Sequence, residues 1–255
     1  MKLFFKKTGE GKPVFILHGL FGLGDNWMSF SKHFASIGFS CYAIDLRNHG
    51  RSPHSDAFSY ELMVEDILRL MDDEGLSNVI LLGHSLGGKT AMFFTEKYPE
   101  RIEKLIVVDI APRYYAPHHQ SVLSALNSVP LDVITTRKEA EEQLRISIHE
   151  ESTLQFLLKN LYWNENQKLA WRFNVSSIEK HIGIVGKAFL PDTPVRVPAL
   201  FIRGQRSGYI SAEDEKEIRN DFSDVQIVTV PDAGHWVHAE NPKSFFETVE
   251  RFLVQ

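Results

Sequence analysis

The stretch Val79-Ile80-Leu81-Leu82-Gly83-His84-Ser85-Leu86-Gly87-Gly88-Lys89-Thr90 decides the fold. Its first four residues are a continuous apolar run of strand length, and residues 86–98 carry a helical pattern stopped by Pro99. Gly83-x-Ser85-x-Gly87 falls at the junction. G-x-S-x-G between a strand and a helix describes a nucleophile elbow. The turn forces its central residue into a strained conformation and exposes the hydroxyl at the top of a sheet. Bulky flanking residues would clash there, and Gly83 and Gly87 avoid this. The following helix also points its positive end and free N–H groups at developing negative charge. The bland alternative is a glycine-rich turn with an incidental serine. A sharper rival is a phosphate-cradling loop, because residues 83–90 also spell G-x-x-x-x-G-K-T. That reading needs a loop ahead of the helix, whereas Ser85 stands where an elbow needs it. The base and acid found below favour the elbow.

Outward from this stretch, short apolar runs alternate with helical patterns. Strands are expected at 14–17, 39–44, 79–82 and 105–108, with helices near 25–37, 60–74 and 86–98. From about 112 to 193 only helical patterns occur, punctuated by prolines and without a convincing strand. The rhythm resumes with strands at 199–202 and 226–230 and helices near 212–220 and 242–253. This predicts an α/β core of residues 1–111 and 194–255 with a mostly parallel sheet. Residues 112–193 are expected to form a helical cap, a lid over one end. Ligands of such sheets bind beyond the strands' carboxyl ends.

Composition narrows the function classes. The 255 residues are 43% hydrophobic and 24% charged, enough for a large core and unlike a disordered or fibrous chain. At ~150 residues per domain, one α/β domain with an insertion fits the length. Lys plus Arg is 28 and Asp plus Glu 33, a net charge of −5, which argues against nucleic acid as a partner. No apolar run reaches the ~18 residues of a membrane span. Residues 13–23 could mimic a signal peptide, but His18 interrupts them and no small-x-small cleavage site follows. The single cysteine, Cys41, excludes an internal disulfide and reads as a buried structural thiol. A cytoplasmic monomer or homodimer is expected, with no cofactor. No Cys/His cluster suggests a metal.

The base is sought among eleven histidines. His235, in Pro231-Asp232-Ala233-Gly234-His235-Trp236, follows the last strand and completes the chain order Ser…Asp…His. His84 flanks the serine and points away; His118, His119, His149 and His181 belong to the insertion. The strand at 105–108 ends in Asp109, favoured as the acid that orients His235; the alternative for Asp109 is a loop cap. Asp214 is the reserve, because after the strand at 199–202 no carboxylate appears until Glu213 and Asp214, in the first turn of a helix. His18-Gly19-Leu20-Phe21-Gly22 follows the first core strand. It is expected to supply the second oxyanion donor, Leu20 N–H beside Leu86 N–H, with Phe21 N–H as fallback.

With these residues in hand, the chain resembles the α/β-hydrolases, and more narrowly the YbfF-type bacterial esterases and their mitochondrial relatives. The residues that carry the resemblance are His18 to Gly22, Asp45-Leu46-Arg47-Asn48-His49-Gly50-Arg51-Ser52, the elbow, Val108-Asp109-Ile110-Ala111-Pro112, Trp171-Arg172-Phe173-Asn174 and Gly234-His235-Trp236-Val237-His238-Ala239-Glu240. The resemblance implies an eight-stranded, mostly parallel sheet and a cofactor-free serine esterase or thioesterase, with acyl-CoA among its substrates. It also supports Asp109 as the acid.

Phe21, Trp163, Trp171 and Trp236, with Phe156, Leu157, Tyr162 and Phe173, are expected to build an apolar acyl pocket. Arg172 is open between a lid carboxylate and an anionic substrate. The expected chemistry is acyl transfer to water through Ser85, His235 and Asp109, rising with pH as His235 loses its proton. The rivals are C–C bond cleavage or elimination on the same triad, and a non-catalytic binding module.

Overall fold

A computed structural model of the chain describes residues 1–254. The chain opens with β1 (Phe4–Thr8), β2 (Lys12–Leu17), α1 (Met28–Ala35), β3 (Phe39–Asp45), α2 (Tyr60–Asp73), β4 (Val79–His84), α3 (Leu86–Lys97) and β5 (Ile102–Val108). It continues through α4 (Gln120–Ser128), α5 (Arg137–Arg145), α6 (Glu151–Leu158), β6 (Leu161–Trp163), β7 (Leu169–Trp171), α7 (Val175–Lys180) and α8 (Ile182–Val185). It closes with β8 (Ala199–Gly204), α9 (Ala212–Asp221), β9 (Val225–Val230), α10 (Val237–Glu240) and α11 (Pro242–Val254).

The main sheet has the order β1-β3-β2-β4-β5-β8-β9. Every neighbouring pair is parallel except β1 with β3. Among the described residues it has seven strands, where the resemblance implied eight. The residues ahead of β2 form one antiparallel edge strand, which occupies the free edge of β3 from Asp45 to Cys41. Lys6 and Lys7 on β1 give that edge charges that discourage further pairing.

β3 and β4 are buried along their whole length, as expected of parallel strands covered on both faces. One face packs on α2 and α3 through residues such as Met63, Ile67, Met92 and Phe94. The other packs on α1 and α11 through Phe30, Phe34, Phe245 and Phe252. Cys41 lies in this second layer, and burial pushes its thiol up to about 12.

After β2 the chain moves outward to β3 and then returns to the other side of β2 as β4. That reversal opens a crevice between the carboxyl ends of β2 and β4, the usual ligand position in such sheets. Leu17 and Gly83 are paired there, so the loops after both strands start level with each other.

The segment between β5 and β8 is not purely helical. β6 and β7 form an antiparallel hairpin, closed by Asn164 N–H to Lys168 O at 2.8 Å. Strands of three residues are too short to show a two-residue alternation. The two ends of this segment meet at Lys89 of α3. Its fully buried ammonium donates to Pro112 O (2.6 Å), Arg113 O (2.6 Å) and Lys187 O (2.9 Å). Burial, with Arg113 nearby, lowers the lysine to about 7; Asp214 opposes this. All three donors are thus committed to carbonyls, and none faces a phosphate cradle.

Lys89→Met keeps the length of the side chain and leaves three carbonyls without a donor. It is expected to cost about 2–4 kcal/mol. For a chain of this size that lowers the thermal midpoint by roughly 5–10 °C. An unchanged midpoint in thermal unfolding would show that the ammonium holds nothing together.

Candidate active site

Ser85 is the N-cap of α3, with φ 52° and ψ −115°. Such a conformation is uncommon for a residue with a side chain and is a form of strain found at functional sites. The glycines around it are sterically required. A Cβ on Gly83 would lie 2.2 Å from Gly87 O, and one on Gly87 would lie 2.3 Å from Leu17 O. Ser85 N–H continues the sheet ladder to Val108 O at 3.0 Å.

Asp109 follows β5 and is fully buried, also at positive φ (53°). Its Oδ2 accepts His235 Nδ1–H at 2.8 Å and the Ser207 hydroxyl at 2.5 Å. Its Oδ1 accepts Gly204 N–H at 3.0 Å. Asp109 is therefore the carboxylate that meets His235. Asp214, the reserve, is used elsewhere. It caps α9 by accepting Ser211 N–H and pairs with Arg113 at 2.8 Å.

His235 sits in the loop after β9, its ring stacked on Tyr209 with centroids 4.0 Å apart. Ser85 and His235 line one cavity of about 800 Å³ together with Leu20, Phe21, Phe156 and Trp236. The sequence reading missed Ser207 and Tyr209. The spacing from Asp109 gives no hint that these residues come home to it.

The loop after β2 packs directly on the elbow: a Cβ on Gly19 would lie 3.3 Å from Ser85 Cβ. Phe21 N–H donates to His49 Nε2 at 3.2 Å, so the fallback oxyanion donor is engaged. Leu86 N–H belongs to the first turn of α3, where no intrahelical acceptor exists. This leaves Leu20 and Leu86 as the candidate pair.

Two histidines frame this loop in a defined tautomer. His18 Nε2 accepts Leu46 N–H at 3.1 Å, and its Nδ1–H donates to Gly19 O at 2.8 Å. His49 likewise accepts at Nε2 and donates from Nδ1 to Arg47 O at 2.9 Å. Both are buried, which lowers His18 to about 4 and His49 to about 3. His84 is also buried and pushed well down; it donates to the carbonyl of His235 at 2.9 Å.

Four expected pocket residues and Arg172 lie elsewhere. Tyr162, Trp163 and Arg172 line a separate cavity of about 490 Å³, which shares Lys159 with the first. Trp171 is buried against Phe173, rings stacked at 5.6 Å, and Phe173 in turn supports Phe21 at 5.2 Å. The hairpin turns these side chains away from the first cavity. No carboxylate pairs with Arg172 among the described residues; its guanidinium lies over Tyr162 at 4.2 Å.

The comparisons identify the family. The family model for the alpha/beta hydrolase fold matches residues 12–242, and the chain belongs to that family. It is 38% identical over 257 residues to the sn-1-specific diacylglycerol lipase ABHD11 of Danio rerio, covering 98% of this chain and 80% of that one. It is 34% identical over 246 residues to Esterase YbfF of Escherichia coli (strain K12), covering 96% and 94%. A solved structure described as a marine microorganism esterase superposes with a TM-score of 0.96 at 45% identity, covering 99% of both chains.

The neutral histidines give the fold an acid limit. The unfolded chain takes up a proton at each near 6.5, while the folded chain resists until about 4 or below. Stability is therefore fully present above ~6.5 and is lost as pH falls toward 4. Each of these histidines contributes up to ~1.4 kcal/mol per pH unit. Denaturant midpoints are expected to drop clearly between pH 7.5 and 5; equal midpoints would refute the neutral tautomers.

Proposed function

We propose that the chain is a serine carboxylesterase or thioesterase working through Ser85, His235 and Asp109. The observation that carries the reading is the 2.8 Å contact from His235 Nδ1 to the buried Asp109, in a loop lining the cavity that also holds Ser85. Asp109 fixes the imidazole with its proton on Nδ1, so Nε2 is the nitrogen that takes the Ser85 proton. Ser85 Oγ then attacks the acyl carbonyl. The N–H groups of Leu20 and Leu86 hold the oxyanion, each contributing a few kcal/mol to the transition state. His235 returns the proton to the leaving oxygen or sulfur. It next activates the water that releases the acid from Ser85.

Residues 112–193 act in this reading as the lid, giving Phe156 and Leu157 to the cavity wall. Acyl-CoA thioesters are among the proposed substrates. Esterase and lipase activities named for the relatives support ester cleavage. No helix among the described residues is long and apolar enough to cross a membrane. A reducing, cytoplasmic setting fits a chain whose one thiol is buried.

The test is intact-protein mass spectrometry after a fluorophosphonate probe. A single adduct on the wild type that vanishes in Ser85→Ala is expected, and absence of the wild-type adduct would sink the reading. Asp109→Asn is expected to lower kcat by about 10⁴-fold. Ser207→Ala removes one donor from Asp109 while Gly204 N–H stays. It is expected to lower kcat about tenfold with KM unchanged; a change confined to KM would count against a positioning role for Ser207.

A further inference from the structure

The second cavity, about 490 Å³, gathers four cationic side chains: Arg51, Arg137, Lys159 and Arg172. None of them has a carboxylate partner among the described residues, although the chain as a whole carries −5 and pairs most of its other arginines. Two carboxylates share the wall; Asp45 feels the charge of Arg51, and neither forms an ion pair with any of the four cations. Asp25 is paired with Lys6 at 2.6 Å. Asp45 is buried, accepts Gly24 N–H and Arg51 N–H, and is pushed up by desolvation.

The arginines are held in place by uncharged partners. Arg137 donates to Leu161 O at 2.6 Å and Leu158 O at 2.8 Å. Arg172 lies over the Tyr162 ring at 4.2 Å, and Arg51 lies over Phe4 at 5.0 Å. Stacking and carbonyl contacts order a guanidinium without neutralising it, and leave edge N–H groups free for bidentate recognition. Trp163, 48% exposed, adds an apolar face beside them.

Lys159 lines both cavities, so a ligand in the second abuts the one that holds Ser85. Its charge already acts across that wall, helping to lower His238.

We propose that this second cavity is a phosphate-binding subsite that holds the leaving-group half of the substrate. The inference rests on the ester-hydrolase reading and narrows it: the acyl group enters the first cavity, and a phosphorylated alcohol or thiol occupies the second. The phosphates are read by Arg51, Arg137, Lys159 and Arg172. A neutral glycerolipid ester would leave those four charges unanswered.

The experiment compares acetyl-CoA with S-acetyl-N-acetylcysteamine, a thioester without phosphates. A ratio of kcat/KM values well above one is expected for the wild type. The ratio falls about tenfold in Arg172→Gln and in Lys159→Gln, and falls with added salt. Taking the ratio cancels any general loss of activity or of folded protein. A wild-type ratio near one, or a ratio unmoved by both substitutions, overturns the subsite.

A parallel titration of Ser85→Ala protein with coenzyme A and with adenosine 3′,5′-bisphosphate reads binding without turnover. Both ligands are expected to bind, and Arg172→Gln to weaken them about tenfold. Failure of both to bind overturns the proposal. Inactive wild type without a fluorophosphonate adduct overturns the hydrolase reading instead, and the titration still decides the subsite. Tight binding of the bisphosphate with no gain for acetyl-CoA turnover assigns the cavity to a free nucleotide and overturns its leaving-group role.

Discussion

The hydrogen bond from Ser85 N–H to Val108 O carries the parallel ladder one residue beyond the end of β4. Everything at the site depends on this extension. Holding a serine at φ 52° costs of order 1–3 kcal/mol and persists only where the surroundings over-determine it. The ladder supplies part of that constraint, and the close approach of Gly83 to Gly87 and of Gly87 to Leu17 supplies the rest. The same lacing continues sideways. Asp109 N–H reaches Ile202 O at 2.8 Å, and Gly204 N–H returns to Asp109 Oδ1. Three adjacent strand ends are thus tied to one another just where Ser85 and Asp109 leave the sheet. A shift of either residue would have to unpick backbone pairs on both sides.

Helix α3 joins this frame to the segment between β5 and β8. Ser85 is its cap, and Lys89, one turn on, holds the exit and the return of that segment by their carbonyls. Further contacts fix the segment at its other end: Asn160 donates to Phe21 O at 2.8 Å, and Asn48 donates to Ser177 at 3.1 Å. The segment is therefore tied to the helix that Ser85 caps and to the loops after β2 and β3. The letters G-x-x-x-x-G-K-T are satisfied in sequence and refuted in space. The lysine turns inward to carbonyls, and the turn ahead of it presents a serine instead of a ring of amides.

How much was legible follows from the length scale of each signal. Continuous apolar runs and the elbow glycines mark β2 to β5 and β8, because burial on both faces leaves a plain one-dimensional trace; the edge strand β9 is only partly buried and is marked by its β-branched residues instead. The edge strand β1 mixes Phe4 and Phe5 with Lys6 and Lys7, and β6 and β7 are too short for a period. None of them leaves such a trace. Ser85, Asp109 and His235 could be named because the first two follow directly on a strand and the third lies in the loop after the last one, so topology brings them to one rim. Ser207 and Tyr209 reach Asp109 and His235 by the path of a loop, which no local pattern encodes. Trp163, Trp171 and Arg172 looked like pocket residues by composition. The hairpin, invisible beforehand, decided which way they face.

The histidines show how charge is distributed around this rim. His18, His49 and His84 are buried and held neutral by desolvation, and His84 lies directly against His235. They act as hydrogen-bonding scaffolding that adds no positive charge next to the place where, in the proposed mechanism, an imidazolium must form. A buried cation there would oppose proton transfer from Ser85. The positive charge that the region does carry is displaced to the solvent-facing cavity beyond Lys159, where water and a ligand's own charge can answer it. A neutral interior beside an unpaired cationic exterior is what a site needs if it is to ionise one imidazole in each cycle and still attract an anionic leaving group.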